Sequence, residues 1–181
     1  MKKFIMIIML MVCFCSLFAT EKLSPKNNEL SFKIGVFPYI ETVMTSLLVL
    51  GHKNVTDTLL LPIVTTKFLH YVNPYHAFGG ALTLGSPVAS YGESIGIIPC
   101  FSLQGIYQGI YLNKEKIKLY GELALGFELF FDIPTKSLAP FFAAYVAPIG
   151  IWFGSEKFLG TAELGIGTQG TGLLLGCGFR F

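Results

Sequence analysis

The chain has 181 residues, 52% of them hydrophobic, 14% aromatic and only 13% charged, with a formal net charge of +2. That length suits one domain. The low charge and high apolar content exclude a disordered chain, no basic patch points to nucleic acid, and four cysteines are too few for a disulfide scaffold, which leaves a membrane protein or an unusually apolar secreted domain.

The first element is an address. Lys2 and Lys3 precede an uncharged apolar run from Phe4 to Phe18, closed by Ala19. A basic end, a short apolar stretch and a small residue predict a secretory signal peptide over residues 1–19. The run falls short of the ~20 apolar residues a membrane span needs. Cys13 and Cys15 follow Val12 and Phe14, which are bulky where a lipidation site has a small residue, so a lipoprotein is disfavoured. Cleavage leaves 11 basic and 11 acidic side chains, because only Lys2 and Lys3 leave the basic total of 13. Residues 20–28 (TEKLSPKNN) read as a polar periplasmic lead-in, and ordered structure is expected over 29–181.

Strands are predicted near 29–40, 58–72, 76–86, 93–112, 116–132, 137–153, 157–167 and 170–181. Period is the test that separates them from helices. In 116–132 one parity holds Ile117, Leu119, Leu123, Leu125, Phe127, Leu129 and Phe131, while the other holds Lys116, Lys118, Glu122 and Glu128. A helix would scatter Glu122 and Glu128 to different sides. The same sorting recurs in 29–39, where Leu30, Phe32 and Ile34 alternate with Ser31 and Lys33. It returns in 158–167, where Thr161 and Glu163 oppose Phe158, Ala162, Leu164 and Ile166, and in 173–181, where Leu173, Leu175, Cys177, Phe179 and Phe181 oppose small residues and Arg180. Residues 94–113 and 137–155 are uncharged enough for helical spans, but Pro99, Pro140, Pro148 and several glycines interrupt them. The second strand is weakly phased, since Lys67 and His70 have opposite parity.

Large apolar side chains on one face and small or charged ones on the other form the dyad pattern of a transmembrane barrel. A soluble barrel would reverse the sense, and alternation alone does not separate the two. The fold class expected is all-β: an eight-stranded antiparallel up-and-down transmembrane barrel. With the amino end inside, the inner connections at 72–75, 113–115 and 154–157 are short. Of the outer ones, at 41–57, 86–92, 133–136 and 168–171, only the first is long. Aromatic girdles are expected from Tyr71, Tyr75, Tyr111, Trp152, Phe153, Phe158 and Phe181 at the inner rim and from Phe37, Tyr39, Tyr91, Phe130 and Phe131 at the outer.

The stretch from Ala147-Pro148-Ile149-Gly150 through Ala162-Glu163-Leu164-Gly165-Ile166-Gly167 to Gly176-Cys177-Gly178-Phe179-Arg180-Phe181 resembles the close of small outer-membrane β-barrel domain proteins of the OmpA/OmpX type. Val72-Asn73-Pro74-Tyr75 before Phe78-Gly79-Gly80 resembles their first inner turn. The resemblance implies an outer-membrane location with both termini in the periplasm. It also implies outer-membrane lipid and the barrel assembly machinery as partners, with Phe181, and Phe179 in phase with it, as the assembly signal. The short outer connections depart from a large adhesive surface.

Chemistry is sparse. His52, His70 and His76 lack metal-site spacing with acidic or thiol partners, so no metal or other cofactor is expected. Gly165, Gly167 and Gly170 lack the lysine and helix of a phosphate loop. The histidine–serine pair of a lipid A deacylase, two residues apart, is absent. His52 and Ser46 could imitate a lipid A acyltransferase, but nothing fixes their geometry, and no catalytic residue is assigned. Cys100 and Cys177 fall on opposite faces, which argues against a disulfide. The inward parity gathers Lys33, Lys118, Glu122, Glu128, Glu163 and Arg180, with Lys67 a further candidate. An eight-stranded interior is just wide enough for side chains to fill, so opposite charges are expected to meet there. Arg180, whose planar fork suits a carboxylate, is expected to pair with Glu163 on the adjacent strand. The reading is a monomeric, non-enzymatic outer-membrane barrel with a structural or surface-interaction role and a charge-plugged lumen. The alternatives are a narrow pore for small solutes or apolar ligands and, further off, a lipid A-modifying enzyme.

Overall fold

The computed structural model describes residues 27–35, 55–59, 63–86, 88–91, 94–97, 99–114, 116–132, 137–155 and 157–181. The expected signal peptide, most of the lead-in, His52, Ser46, Phe37 and Tyr39 lie outside them. Eight strands close into an antiparallel barrel: β1 (Asn28–Gly35), β3 (Ile63–Asn73), β4 (His76–Gly85), β7 (Cys100–Asn113), β8 (Ile117–Asp132), β9 (Ser137–Gly154), β10 (Phe158–Gly167) and β11 (Gly172–Arg180). Neighbours follow one another in the chain except at the seam, where β1 lies between β3 and β11, with Glu29 opposite Arg180 and Ile34 opposite Leu175. Asn28 N–H donates to the Phe181 carbonyl and Phe181 N–H to the Asn28 carbonyl, so both ends of the barrel's chain meet at the rim that carries the short turns.

Alternation decides which side chain goes where. Phe32, Ile34, Leu123, Leu125, Phe127, Leu164, Leu173 and Leu175 stand outside, with Phe127 72% exposed, while Ser31, Lys33, Glu122, Glu128, Thr161, Glu163 and Arg180 are buried within. Small residues on the inward rows, such as Ala77, Ala81, Ala124, Ala143 and Ala147, leave room for long polar side chains. In β9 the phase changes once. Tyr120 faces Gly150 and Glu122 faces Ala147, so Pro148 and Ile149 together oppose one residue of β8; the ladder to β10 shifts at the same place. This is a β-bulge, and proline, having no N–H, sits in strands at such positions. Ahead of it the odd-numbered Ala143, Tyr145 and Ala147 point in; beyond it Gly150 and Trp152 do.

Three expectations are corrected here. The strand expected over 58–72 is two, β2 (Val55–Leu59) and β3. The strand expected over 93–112 is likewise β6 (Ser94–Ile97) and β7. The connection expected over 86–92 contains β5 (Val88–Tyr91), which pairs with β2 and β6 in a separate three-stranded sheet. Pro62, Pro87 and Pro99 stand in the sequence where β3, β4 and β7 give way to this sheet, and each removes a ladder donor. The outer connections are therefore not uniformly short. Second, Tyr71, Trp152 and Phe130 are not girdle residues: they are buried on the inward rows, whereas Phe153, Phe158, Phe131 and Phe181 are outside. Third, Arg180 does not meet Glu163.

The wall is uneven. β9 has 18 residues and β8 has 16, against 10 in β10 and 9 in β11. Gly167 lies opposite Tyr145, so 137–144 of β9 rise past the β10–β11 turn with β8 as their partner. Pro140 falls on that unshared edge, where a missing N–H leaves no gap in a ladder.

Candidate functional site in the barrel lumen

The described interior holds Lys33, Lys67, Lys118 and Arg180 against Glu29, Glu122, Glu128 and Glu163, each at most 8% exposed. The balance is neutral, as burial of ions in a narrow tube demands.

The central cluster joins four strands. Lys33 of β1 and Lys67 of β3 face Glu122 of β8 and Glu163 of β10. Lys33 is paired with Glu163, and Lys67 with Glu122. The cross pairs lie at 3.1 Å for Lys67–Glu163 and 3.8 Å for Lys33–Glu122. The phenols of Tyr120 and Tyr145 donate to the two oxygens of Glu163 at 2.6 and 3.1 Å, and the Gln108 amide donates to Glu122 at 3.5 Å. Glycine makes room for those rings: a Cβ at Gly150 would run into Tyr120, and one at Gly165 into Tyr145.

Nearer the short-turn rim, Arg180 donates from Nε and Nη2 to Glu29 Oε2 at 3.0 and 2.9 Å, and Tyr71 donates to the same oxygen at 2.6 Å. The guanidinium lies over the rings of Trp152, at 4.4 Å, and Tyr71, at 4.7 Å, and Lys118 sits at 5.3 and 5.5 Å from the same two rings. Cation–π attraction holds both cations against a shared aromatic pair. No water-sized space remains among these side chains. Toward the other end the β10–β11 turn folds inward: Gln169 donates to Gln104 at 2.9 Å, and Gln104 donates to Thr168 at 2.5 Å. Glu128 is buried in this half, opposite Ser102.

Of the residues singled out by parity, Lys33, Glu122 and Glu163 come together with Lys67, and Lys118 and Arg180 share one aromatic pair, while Glu128 lies toward the other end, opposite Ser102. Arg180 takes Glu29 because the two are directly opposed across the seam, whereas Glu163 is opposite Leu174, six positions before Arg180. Glu29 and Tyr120 share the inward rows of Lys33 and of Lys118 and Glu122, whereas Tyr71 lies on the weakly phased second strand and Gln108 and Tyr145 lie on uncharged strands, where parity has no ionic marker. Phe179 and Phe181 lie outside on β11 with ring centroids 5.8 Å apart. Cys100 is buried and Cys177 exposed, with no disulfide between them. Among the described residues, no three His, Cys, Asp or Glu side chains are grouped to hold a metal ion. Among the described residues of the lumen, no nucleophile is assembled with a base and an open substrate cleft. The chemistry on offer is electrostatic cross-linking of the wall.

No protein-family model matches the chain, and no curated protein does. Among solved structures it is similar to the N-terminal β-barrel domain of Pseudomonas aeruginosa OprF, with a TM-score of 0.47 and 16% identity over 86% of this chain and 98% of that one.

Proposed function

We propose that this chain is an integral outer-membrane protein of the OmpA/OmpX type. Its barrel spans the bilayer with both termini in the periplasm, and its role is structural or at the cell surface. The observation that carries this reading is inverted sidedness: the exterior is a field of exposed Leu, Ile, Val and Phe, while eight ionisable side chains are buried inside. A water-soluble protein rarely exposes an apolar patch beyond a few hundred Å², whereas a hydrocarbon environment favours that exterior and requires the closed backbone ladder. Lys33, Lys67, Lys118, Glu29, Glu122, Glu128, Glu163 and Arg180 act in this reading as a fixed plug, which the lack of water-sized space around Arg180, Glu29 and Lys118 supports. Phe179 and Phe181 serve as the assembly signal.

Heat-modifiable gel mobility, together with a β-type circular dichroism spectrum in detergent and in vesicles, tests the spanning barrel; a form that is soluble and monomeric without detergent would overturn it. Single-channel recording of the refolded protein in planar bilayers tests the plug. The expectation is no resolved conductance, and steady channels would favour a narrow pore.

A further inference from the structure

We propose that the outer end of the barrel wall carries a docking groove for one hydrocarbon chain of a membrane lipid, separate from the charged lumen. The proposal rests on the bilayer-spanning reading above. β4 ends at Gly85 and β7 begins at Cys100, directly opposite each other, while the neighbouring β8 and β9 run on to Asp132 and from Ser137. This step in the wall leaves a groove of about 370 Å³, lined by Leu84, Ser86, Phe101, Leu129, Phe131 and Leu138 among others. Its volume falls within the ~300–1,000 Å³ of small-molecule sites.

Three features select a lipid chain over a protein segment. The residues that line the groove include no charged side chain, so nothing there would hold a headgroup or an acidic or basic peptide. Where β4, β7 and β8 line it the backbone is already committed: Phe131 N–H donates to the Pro99 carbonyl at 2.9 Å, and Phe101 is paired with both Leu84 and Leu129. A docked peptide would bury amides without partners, whereas a hydrocarbon chain has none to satisfy. Finally, Leu84, Phe101 and Leu129 continue the outward rows of Leu82, Leu103 and Phe127, so the groove opens directly from the apolar belt. A chain lying in a recess touches protein on more sides than one passing over the smooth wall, and gains contact accordingly.

The full chain refolded into phosphatidylcholine vesicles, doped with a phosphatidylcholine bearing a photoreactive group on its acyl chain, tests this. After irradiation, labelled residues are mapped by mass spectrometry as the doped fraction is raised. Labelling at 129–138 and 84–101 is expected to saturate at low doping, while labelling of the opposite wall, at Leu164, Leu173 and Leu175, rises in proportion. Ser86→Phe and Leu138→Trp, each checked for heat-modifiable mobility, should lower the saturable labelling several-fold and leave the opposite wall unchanged. Groove labelling that tracks the opposite wall throughout, or that ignores both substitutions, overturns the site. A groove shielded from label while the opposite wall reacts overturns it in favour of a protein cover. Absence of label on both walls overturns the bilayer-spanning reading, and the groove with it.

Discussion

Single side chains inside the tube are held by partners on distant strands, which makes their removal expensive. Glu163 is met by Lys33, Lys67, Tyr120 and Tyr145. Glu163→Gln keeps the shape but strands a buried positive charge, and about 3–5 kcal/mol of destabilisation is expected. Urea unfolding in vesicles, followed by the fluorescence of Trp152, the chain's one tryptophan, measures it. Arg180→Leu should cost a similar amount by exposing Glu29 to an apolar setting, while Arg180→Leu with Glu29→Leu should be less costly than the sum of the single changes; strict additivity in that double-mutant cycle would contradict the pairing. That these residues point inward is legible in the sequence, because Lys33, Glu122, Glu163 and Arg180 each fall on the parity opposite the large apolar side chains of their strand. Which carboxylate Arg180 takes is not legible. The choice depends on the seam, where Glu29 arrives from 151 residues away.

At the level of elements, strict alternation made β1, β8, β10 and β11 readable, since a period of two assigns every side chain a face. It failed where the backbone departs from that period. The bulge at Pro148 carries Trp152 inward, and the breaks marked by Pro62, Pro87 and Pro99 convert two expected long strands into barrel strands and a separate sheet. A bulge residue is also a phase setter. Deleting Pro148 would leave one residue opposite one, with Ala147, Gly150 and Trp152 still inward, whereas deleting Pro148 and Ile149 together would turn Gly150 and Trp152 outside and Ile151 and Phe153 inside, against Tyr120 and Lys118. The expected outcome is loss of the compact, heat-modifiable band in the double deletion, whereas the single deletion and Pro148→Ala should retain it. Gly150→Val is expected to destabilise by about 1–3 kcal/mol through overpacking against Tyr120, and Tyr120→Ala in the same chain should relieve the clash while giving up the hydrogen bond to Glu163.

For the whole molecule, sidedness yields a directional prediction. Leu164 stands on the outer face of β10, one residue from buried Glu163. Leu164→Arg should cost about 2–4 kcal/mol if it lies near the middle of the bilayer, and progressively less for the same change nearer a rim. A flat dependence on position, measured by unfolding from vesicles, would count against a hydrocarbon exterior. Wall height also varies around the molecule. At ~3.3 Å per residue and a tilt of ~40°, the 9 residues of β11 rise about 23 Å and the 18 of β9 about 45 Å. The low side matches an apolar band of ~25 Å, and the high side overtops it.

The meeting of the first and last barrel strands has a consequence for how the molecule comes into being. Until β11 is in place, β1 and β10 are two bare edges of an open, greasy sheet, ready to recruit any neighbouring chain. The clasp of the ring, Glu29 to Arg180, joins residues 151 apart in the chain, so the contacts that seal the hoop carry the largest loop-closure cost. An unclosed copy keeps both edges open to other chains, and a lesion near either end acts on ring closure itself.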